Sequence, residues 1–187
     1  VNPMSHIDQI RDRIPEYAKD LSLNLSTVLS TRGSPALEER QIFATALACA
    51  VAAGNDSLIA AIEGDGAQYL GEADTRAARA AAAIMGMNNV YYRFVHFAGQ
   101  QEYGKLPARL RMNVIANSGV AKEDFELFSL AVSAINGCEL CVMSHEATLR
   151  KHGVAVEAIQ SAARIAAVIN AVAGVIESAP IAAAQAA

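Results

Sequence analysis

Between Ala77 and Ala83, six of seven residues are alanine, interrupted only by Arg79. No other feature limits the fold of this chain so strongly. Alanine loses no side-chain entropy in a helix and is the best helix former. Its short side chain also lets neighbouring helices approach closely. Hydrophobic residues make up 53% of the 187-residue chain, enough for a sizeable core, yet aromatics are only 5% and there is no Trp. β-branched residues are thin and alternating apolar–polar runs are scarce. The expected fold is therefore all-α.

Glycine, asparagine and proline divide the chain into helical segments. A short helix is expected over 6–17 with a break at Pro15, and a helical turn within 20–30. Ser34-Pro35 reads as an N-cap followed by Pro at the first helical position. Helices follow over 37–53, from Asn55 or Asp56 to Glu63 with a stop at Gly64-Asp65-Gly66, and over 72–87. The aromatic stretch 90–97 either continues the last of these or turns. A loop over 99–107, a short helix over 109–116 and helices over 122–135, 138–151 and 156–177 complete the series. Ala77-Ala78-Arg79-Ala80-Ala81-Ala82-Ala83-Ile84 is echoed by Ala162-Ala163-Arg164-Ile165-Ala166-Ala167-Val168-Ile169. An apolar helix ending in Gly, at Gly54 or Gly137, precedes each. A duplicated helical unit, about 37–98 and 122–178, would produce this echo. So would chance similarity between two Ala-rich helices.

Length and patterning suit one domain over 4–187. The opening Val1-Asn2-Pro3 is read as a cloning remnant before Met4, and the Ala-rich segment after Pro180 as a loose tail. Net charge is −4 and no Lys/Arg run exceeds two residues, so the clustered basic face of a nucleic-acid binder is not expected. Charges run throughout the first thirty residues, unlike a secretory leader. The apolar C-terminal segment carries Arg164, Asn170, Glu177 and Pro180, which argue for a buried helix rather than a membrane span. A cytoplasmic protein is expected. Three cysteines cannot all pair within one chain, and in a reducing compartment a close pair is more often catalytic or metal-binding than structural.

That pair is Cys138-x-x-Cys141, followed four residues later by His145. On a helix these positions share one face. Asn136-Gly137 breaks the chain just upstream, so Cys138 is expected in a first helical turn. There the unsatisfied N–H groups and partial positive charge favour a thiolate. His145 is placed to take the Cys141 proton or to hold its thiolate as an ion pair. Three other readings stand beside this one. Cysteine is also a small buried hydrophobe. Cys138, Cys141 and His145, with Glu126 as a fourth ligand, could hold a metal, although structural zinc sites usually close with a second Cys pair that is missing here. A non-redox enzyme would not need the pair at all. Glu126 lies among apolar residues and is either an exposed helix position or a buried carboxylate that orients His145. Cys49 reads as core, Asn88 and Asn89 as packing or capping residues or, alternatively, as residues with a role near the site, and His96 and His152 as loop or surface residues.

The stretch from Phe125-Glu126-Leu127-Phe128 through Asn136-Gly137-Cys138-Glu139-Leu140-Cys141 to Ser144-His145-Glu146 resembles the active-site segment of the alkyl hydroperoxidase D (AhpD) family. Met85-Gly86-Met87-Asn88-Asn89-Val90, the segment 110–117 and Pro15-Glu16-Tyr17-Ala18-Lys19-Asp20 resemble it too. The likeness covers nearly the whole chain. It implies an all-helical fold with a duplicated motif, a homotrimer, and membership of the carboxymuconolactone decarboxylase-like superfamily. It further implies weak reduction of alkyl hydroperoxides without a cofactor. With that goes a role as a disulfide-reducing adaptor, passing electrons from the dihydrolipoyl acyltransferase of a 2-oxoacid dehydrogenase complex to a peroxiredoxin. Glu126, Cys138, Cys141 and His145 match the family's catalytic residues one by one. The chain departs at Leu140, where some members carry a histidine. The departure bears on peroxidase rate more than on dithiol–disulfide exchange.

Overall fold

The computed structural model describes residues 4–179. The expectations for Val1–Pro3 and for the tail after Pro180 lie outside the described residues. Ten α-helices and one 3-10 turn make up the described chain: α1 (His6–Asp12), the turn Glu16–Ala18, α2 (Lys19–Val28), α3 (Glu39–Ala53), α4 (Asp56–Gly66), α5 (Glu72–Phe97), α6 (Gln101–Lys105), α7 (Asn113–Ala116), α8 (Lys122–Ile135), α9 (Glu139–Lys151) and α10 (Val156–Ser178). The all-α expectation holds.

Two helices form the centre. In α3 nine consecutive residues, Ile42 to Ala50, are buried. In α8 ten consecutive residues, Asp124 to Ser133, are buried. A helix buried all round must be covered on every side, and α5, α10 and each other's flank do this. Small side chains permit it: Ala44, Ala46, Ala48 and Ala50 of α3 and Ala131 of α8 are fully buried, as are Ala77, Ala78 and Ala81 of α5. Each central helix opens a series of three whose third member is the longest, α3–α4–α5 and α8–α9–α10.

Helix α10 has the length and hydropathy of a membrane span. Ten of its residues, Ala158 through Ile176, are nevertheless buried, and it lies against α2, α3 and α8. It fills the place of a core helix.

Burial of charge at the centre is matched by partners. Asp124, only 3% exposed, accepts from Arg40 Nη2 at 2.8 Å and from Gln41 Nε2 at 2.8 Å. Arg40 also donates to Asp74 at 2.9 Å. One guanidinium thus ties α3 to α5 and α8. Burial pushes the Arg40 pKa down, but the bonds and charges of Asp124 and Asp74 outweigh it and leave it raised. An unpaired carboxylate at that depth would be strongly destabilising.

Several boundaries differ from the sequence expectation. Ser34 is no N-cap: its hydroxyl donates to the Val28 carbonyl at 2.7 Å. Helix α3 starts at Glu39, behind a reciprocal cap between Glu38 and Gln41. Helix α4 runs through Gly64-Asp65-Gly66 to Gly66 rather than stopping there. The reason is tertiary. Asp65 accepts from the His6 and Ile7 amides at 2.9 Å each, capping α1 from outside. Gly64 is needed for this approach, since a Cβ there would lie 2.7 Å from His6 Nδ1. The stretch 90–97 continues α5 to Phe97. Part of the expected loop 99–107 is helix α6. The expected helix 109–116 shrinks to four residues, with Arg109 at φ 53° outside it.

Candidate active site

The site is built where α8 gives way to α9. The Gly137 amide donates to Ala134 and the Cys138 amide to Ser133, with Gly137 at φ 66°. This paired closure requires a left-handed residue after the helix end, which glycine supplies without penalty. Helix α5 pins the turn from the side. Asn89 Nδ2 donates to Ser133 Oγ at 2.9 Å, and Asn136 Nδ2 donates to Asn89 Oδ1 at 2.9 Å. Arg93 donates to the Asn136 carbonyl at 2.6 Å. The Asn136-Gly137 pair therefore does more than break a helix. It is held so that the next residue starts α9 in a fixed place.

That next residue is Cys138. It is the N-cap of α9 rather than a residue of its first turn. Its carbonyl accepts from Val142. Cys138 and Cys141 are joined by a disulfide, with Cα atoms 5.3 Å apart. That spacing is within the ordinary range for such bonds. Cys138 is 1% exposed and Cys141 8%.

His145 lies one turn beyond Cys141 on the same helix. Its Nδ1 is 2.6 Å from Glu126 Oε2, with the two side chains 14% and 11% exposed. A carboxylate only accepts, so Nδ1–H donates and Nε2 is left as the basic ring nitrogen. The exposed-helix reading of Glu126 is thus overturned by its burial at 8% and by this partner. A cavity of about 470 Å³ opens beside them. Met85, Tyr92, Met112, Ile115 and Leu140 give it apolar walls; Asn88, Glu126, Ser144 and His145 are its main polar lining; Cys141 is its sulfur. Cys138 is not part of the lining.

Of the four side chains singled out in the sequence, the structure joins Cys138 to Cys141 and Glu126 to His145, and places Glu126, Cys141 and His145 along one cavity. The sequence did not single out Arg93, and it offered a place near the site for Asn88 and Asn89 only as the alternative to packing or capping; Asn89 and Arg93 clamp the turn and Asn88 lines the cavity. The signal was present: two adjacent asparagines in a helix can only be tolerated at buried positions if something uses them. His96 is on helix α5, not in a loop, with its Nε2 3.3 Å from Glu139. His152 sits at the end of α9, 3.2 Å from Glu123. In the disulfide form, the described residues gather no group of three or more His, Cys, Asp or Glu able to hold a metal ion. Cys49, the one free cysteine among them, is fully buried, and burial pushes its thiol pKa far up.

Comparison with known proteins bears on the whole chain. The Carboxymuconolactone decarboxylase family matches residues 101–184. A Maricaulis maris protein named Alkyl hydroperoxide reductase AhpD is 54% identical over 170 residues, covering 91% of this chain and 96% of its own. Its namesake from Rhizorhabdus wittichii is 53% identical over 169 residues, covering 90% and 96%. One from Coxiella burnetii is 53% identical over 165 residues, covering 88% and 93%. With more than half of the residues shared over nearly the full length of these relatives, the chain belongs to the alkyl hydroperoxide reductase AhpD family.

Proposed function

We propose that this protein is a thiol-dependent hydroperoxide reductase and disulfide-reducing adaptor in which Glu126, His145, Cys141 and Cys138 act in that order. One observation carries the reading. A disulfide opens through Cys141, and not Cys138, onto a largely apolar cavity that is also lined by a carboxylate-anchored histidine.

The steps follow from this arrangement. In the dithiol form His145 Nε2 accepts the Cys141 proton while Glu126 holds the imidazole through Nδ1. The Cys141 thiolate attacks the terminal oxygen of an alkyl hydroperoxide. The S–O bond forms, the O–O bond breaks, and the departing alkoxide takes the proton from His145 to leave as the alcohol. Cys141 is then a sulfenic acid. The Cys138 thiol attacks that sulfur, the disulfide forms, and water leaves. The net change is one hydroperoxide and two thiols to one alcohol, one water and one disulfide. A dihydrolipoyl group reverses the last state. Its thiolate attacks Cys141, Cys138 leaves, and its second thiol resolves the mixed disulfide. The same Cys141 thiolate can instead attack a peroxiredoxin disulfide, which is the adaptor role.

Relatives of this length and identity bear the name alkyl hydroperoxide reductase, which supports the peroxide half. The dihydrolipoyl acyltransferase donor, the peroxiredoxin acceptor and a cytoplasmic site rest on the family resemblance. A homotrimer rests on the family resemblance as well; the exposed apolar Val90, Phe94 and Phe97, at helical spacing along α5, would suit a contact between copies without setting their number. Leu140, at the cavity where some members have a histidine, favours disulfide exchange over fast peroxide turnover.

Thiol titration tests the reading. Reduced protein given one equivalent of cumene hydroperoxide should lose two reactive thiols per chain and regain them on adding dihydrolipoamide. Thiols that survive the oxidant would defeat it. Activity on a lactone surviving Cys138→Ser/Cys141→Ser would favour a non-redox enzyme instead. A stoichiometric metal in the reduced, chelator-free protein would favour the metal site of Cys138, Cys141, His145 and Glu126.

A further inference from the structure

We infer that Tyr92 supplies a hydrogen bond to the departing oxygen, its phenolic hydroxyl donating to the alkoxide that forms as Cys141 attacks a hydroperoxide; the inference rests on the hydroperoxide-reductase reading above.

Met85, Asn88 and Tyr92 line the cavity from α5. Their spacing, i, i+3 and i+7, makes them one stripe of that helix. Beside the stripe, Asn89 bonds Ser133 and Asn136, Arg93 bonds Asn136, and His96 lies 3.3 Å from Glu139. Successive turns of α5 thus follow the chain from the end of α8 into the start of α9. Tyr92 falls between Asn89 and His96. It is therefore at the end of the stripe where Leu140 and Cys141 join the lining.

The hydroxyl there is reachable and uncommitted. Among the described residues, the buried side-chain polar atoms without a partner are Thr45 Oγ1, Asn88 Oδ1 and Ser129 Oγ. Tyr92 is half-buried, and its hydroxyl has no hydrogen bond among the described residues. Since it is not one of those three atoms, it keeps accessible surface. Other polar groups of the lining are spent or wet. Thr148 donates to the Ser144 carbonyl at 2.9 Å, and Ser144 itself is exposed. Glu126 and His145 Nδ1 are taken up with each other. Tyr92 brings a free O–H donor to a largely apolar cavity.

Such a donor suits one moment of the reaction. As the Cys141 sulfur bonds the terminal oxygen and the O–O bond breaks, negative charge passes from sulfur to the departing oxygen. Apolar walls do little to stabilise that charge, and a preorganised donor acts where it develops. Tyr92 donates to the departing oxygen and keeps its own proton. The proton that completes the alcohol comes from His145, as above. Disulfide exchange makes no alkoxide and has no use for this bond.

Tyr92→Phe removes the hydroxyl and keeps the ring. Reduced protein is mixed by stopped flow with cumene hydroperoxide, with peroxyacetic acid, which releases a weakly basic carboxylate, and with the disulfide 5,5′-dithiobis(2-nitrobenzoic acid), which releases a stable thiolate. Loss of the bond should slow the cumene hydroperoxide reaction on the order of tenfold. The peroxyacetic acid reaction should slow less, and the disulfide reaction should stay close to wild type. Tyr91→Phe should leave all three rates near wild type, although its ring packs edge-on to Tyr92 with centroids 5.3 Å apart. Equal slowing of all three reactions by Tyr92→Phe would put the hydroxyl to work on the sulfur or the fold, and would overturn the inference. So would equal slowing of the two peroxides, which would mean orientation rather than help to the departing oxygen. An unchanged cumene hydroperoxide rate, in a wild type that does react, would overturn it as well. A wild type that does not react with hydroperoxide at all would overturn the reading beneath it, and this inference with it.

Discussion

Replacing Glu126 by Gln is the sharpest single probe of the site. The substitution keeps the size of the side chain and can keep an acceptor near His145 Nδ1. It removes the charge. The wild-type contact is 2.6 Å long, between side chains 14% and 11% exposed, so solvent screens it little. A hydrogen bond to a charged group contributes about 1.5–3 kcal/mol, against about 0.5–1.5 kcal/mol for a neutral one. The amide can also turn its NH2 toward the ring, which would force the proton onto Nε2 and remove the base. The two effects together should lower the rate of Cys141 reaction at neutral pH about 10- to 100-fold, at the lower end of the usual contribution of general-base catalysis. The assay is stopped-flow oxidation of the reduced protein by cumene hydroperoxide, beside alkylation of Cys141 by iodoacetamide. Both require the thiolate, so both should slow together. Glu126→Asp, one methylene shorter, should recover part of the loss. If Glu126→Gln reacts as fast as wild type with both reagents, the carboxylate–imidazole pair is not what activates the sulfur.

Three further outcomes are expected. Native reduced protein should present Cys141 to an aqueous thiol reagent, whereas Cys49 should react only on unfolding, because Cys49 is fully buried away from the cavity and its pKa is raised by that burial. Asp124→Ala should cost about 2–3 kcal/mol in urea unfolding, since it strips Arg40 and Gln41 of the buried acceptor that joins α3 to α8. The Asp65 carboxyl is pushed up by burial, but bonds from the Ile7 and His6 amides, the His6 ring and Ser5 leave it lowered overall. A lowered carboxyl stabilises the fold above its unfolded-state value and ceases to as the pH falls through its folded value. The stability gap between wild type and Asp65→Asn should therefore be full at neutral pH and shrink below about pH 4, as paired urea midpoints would register.

The long helices were legible because local and global preferences agree in them. Helix α8 ends at Asn136-Gly137, and α10 ends within one residue of its expected limit, where apolar periodicity stops. The misread segments are those where tertiary partners override local signals. Ser34-Pro35 has the composition of a helix start, but the Ser34 hydroxyl is taken by Val28 across the loop. Gly64-Asp65-Gly66 has the composition of a stop, yet Asp65 is needed on the helix to cap α1, 58 and 59 residues away in sequence. No local window contains that partner. Helix α6 is five residues long and contains Gly104, so neither propensity nor period could announce it.

The candidate site divides along the same line. Cys138, Cys141 and His145 lie within eight residues of one another, so helical spacing alone brings them together. Glu126 was legible as a carboxylate among apolar neighbours, but its burial depends on how α8 and α9 pack. Asn88 and Asn89 belong to α5, about fifty residues upstream of the cysteines by sequence number. Their division of labour is invisible until the cavity exists. The sulfurs and the imidazole are thus written on α9 and its N-cap and the carboxylate on α8, while the other cavity walls come from α5 and from the segment around α7, through Met85, Asn88, Met112 and Ile115. Variation in those walls would change which peroxide fits without touching the sulfur chemistry. Met112→Ala, which enlarges an apolar wall, should therefore shift the relative rates of cumene and tert-butyl hydroperoxide while leaving the rate with 5,5′-dithiobis(2-nitrobenzoic acid) near wild type. A uniform change in all three would mean that the wall supports the helix bearing Cys141 and does not select among substrates.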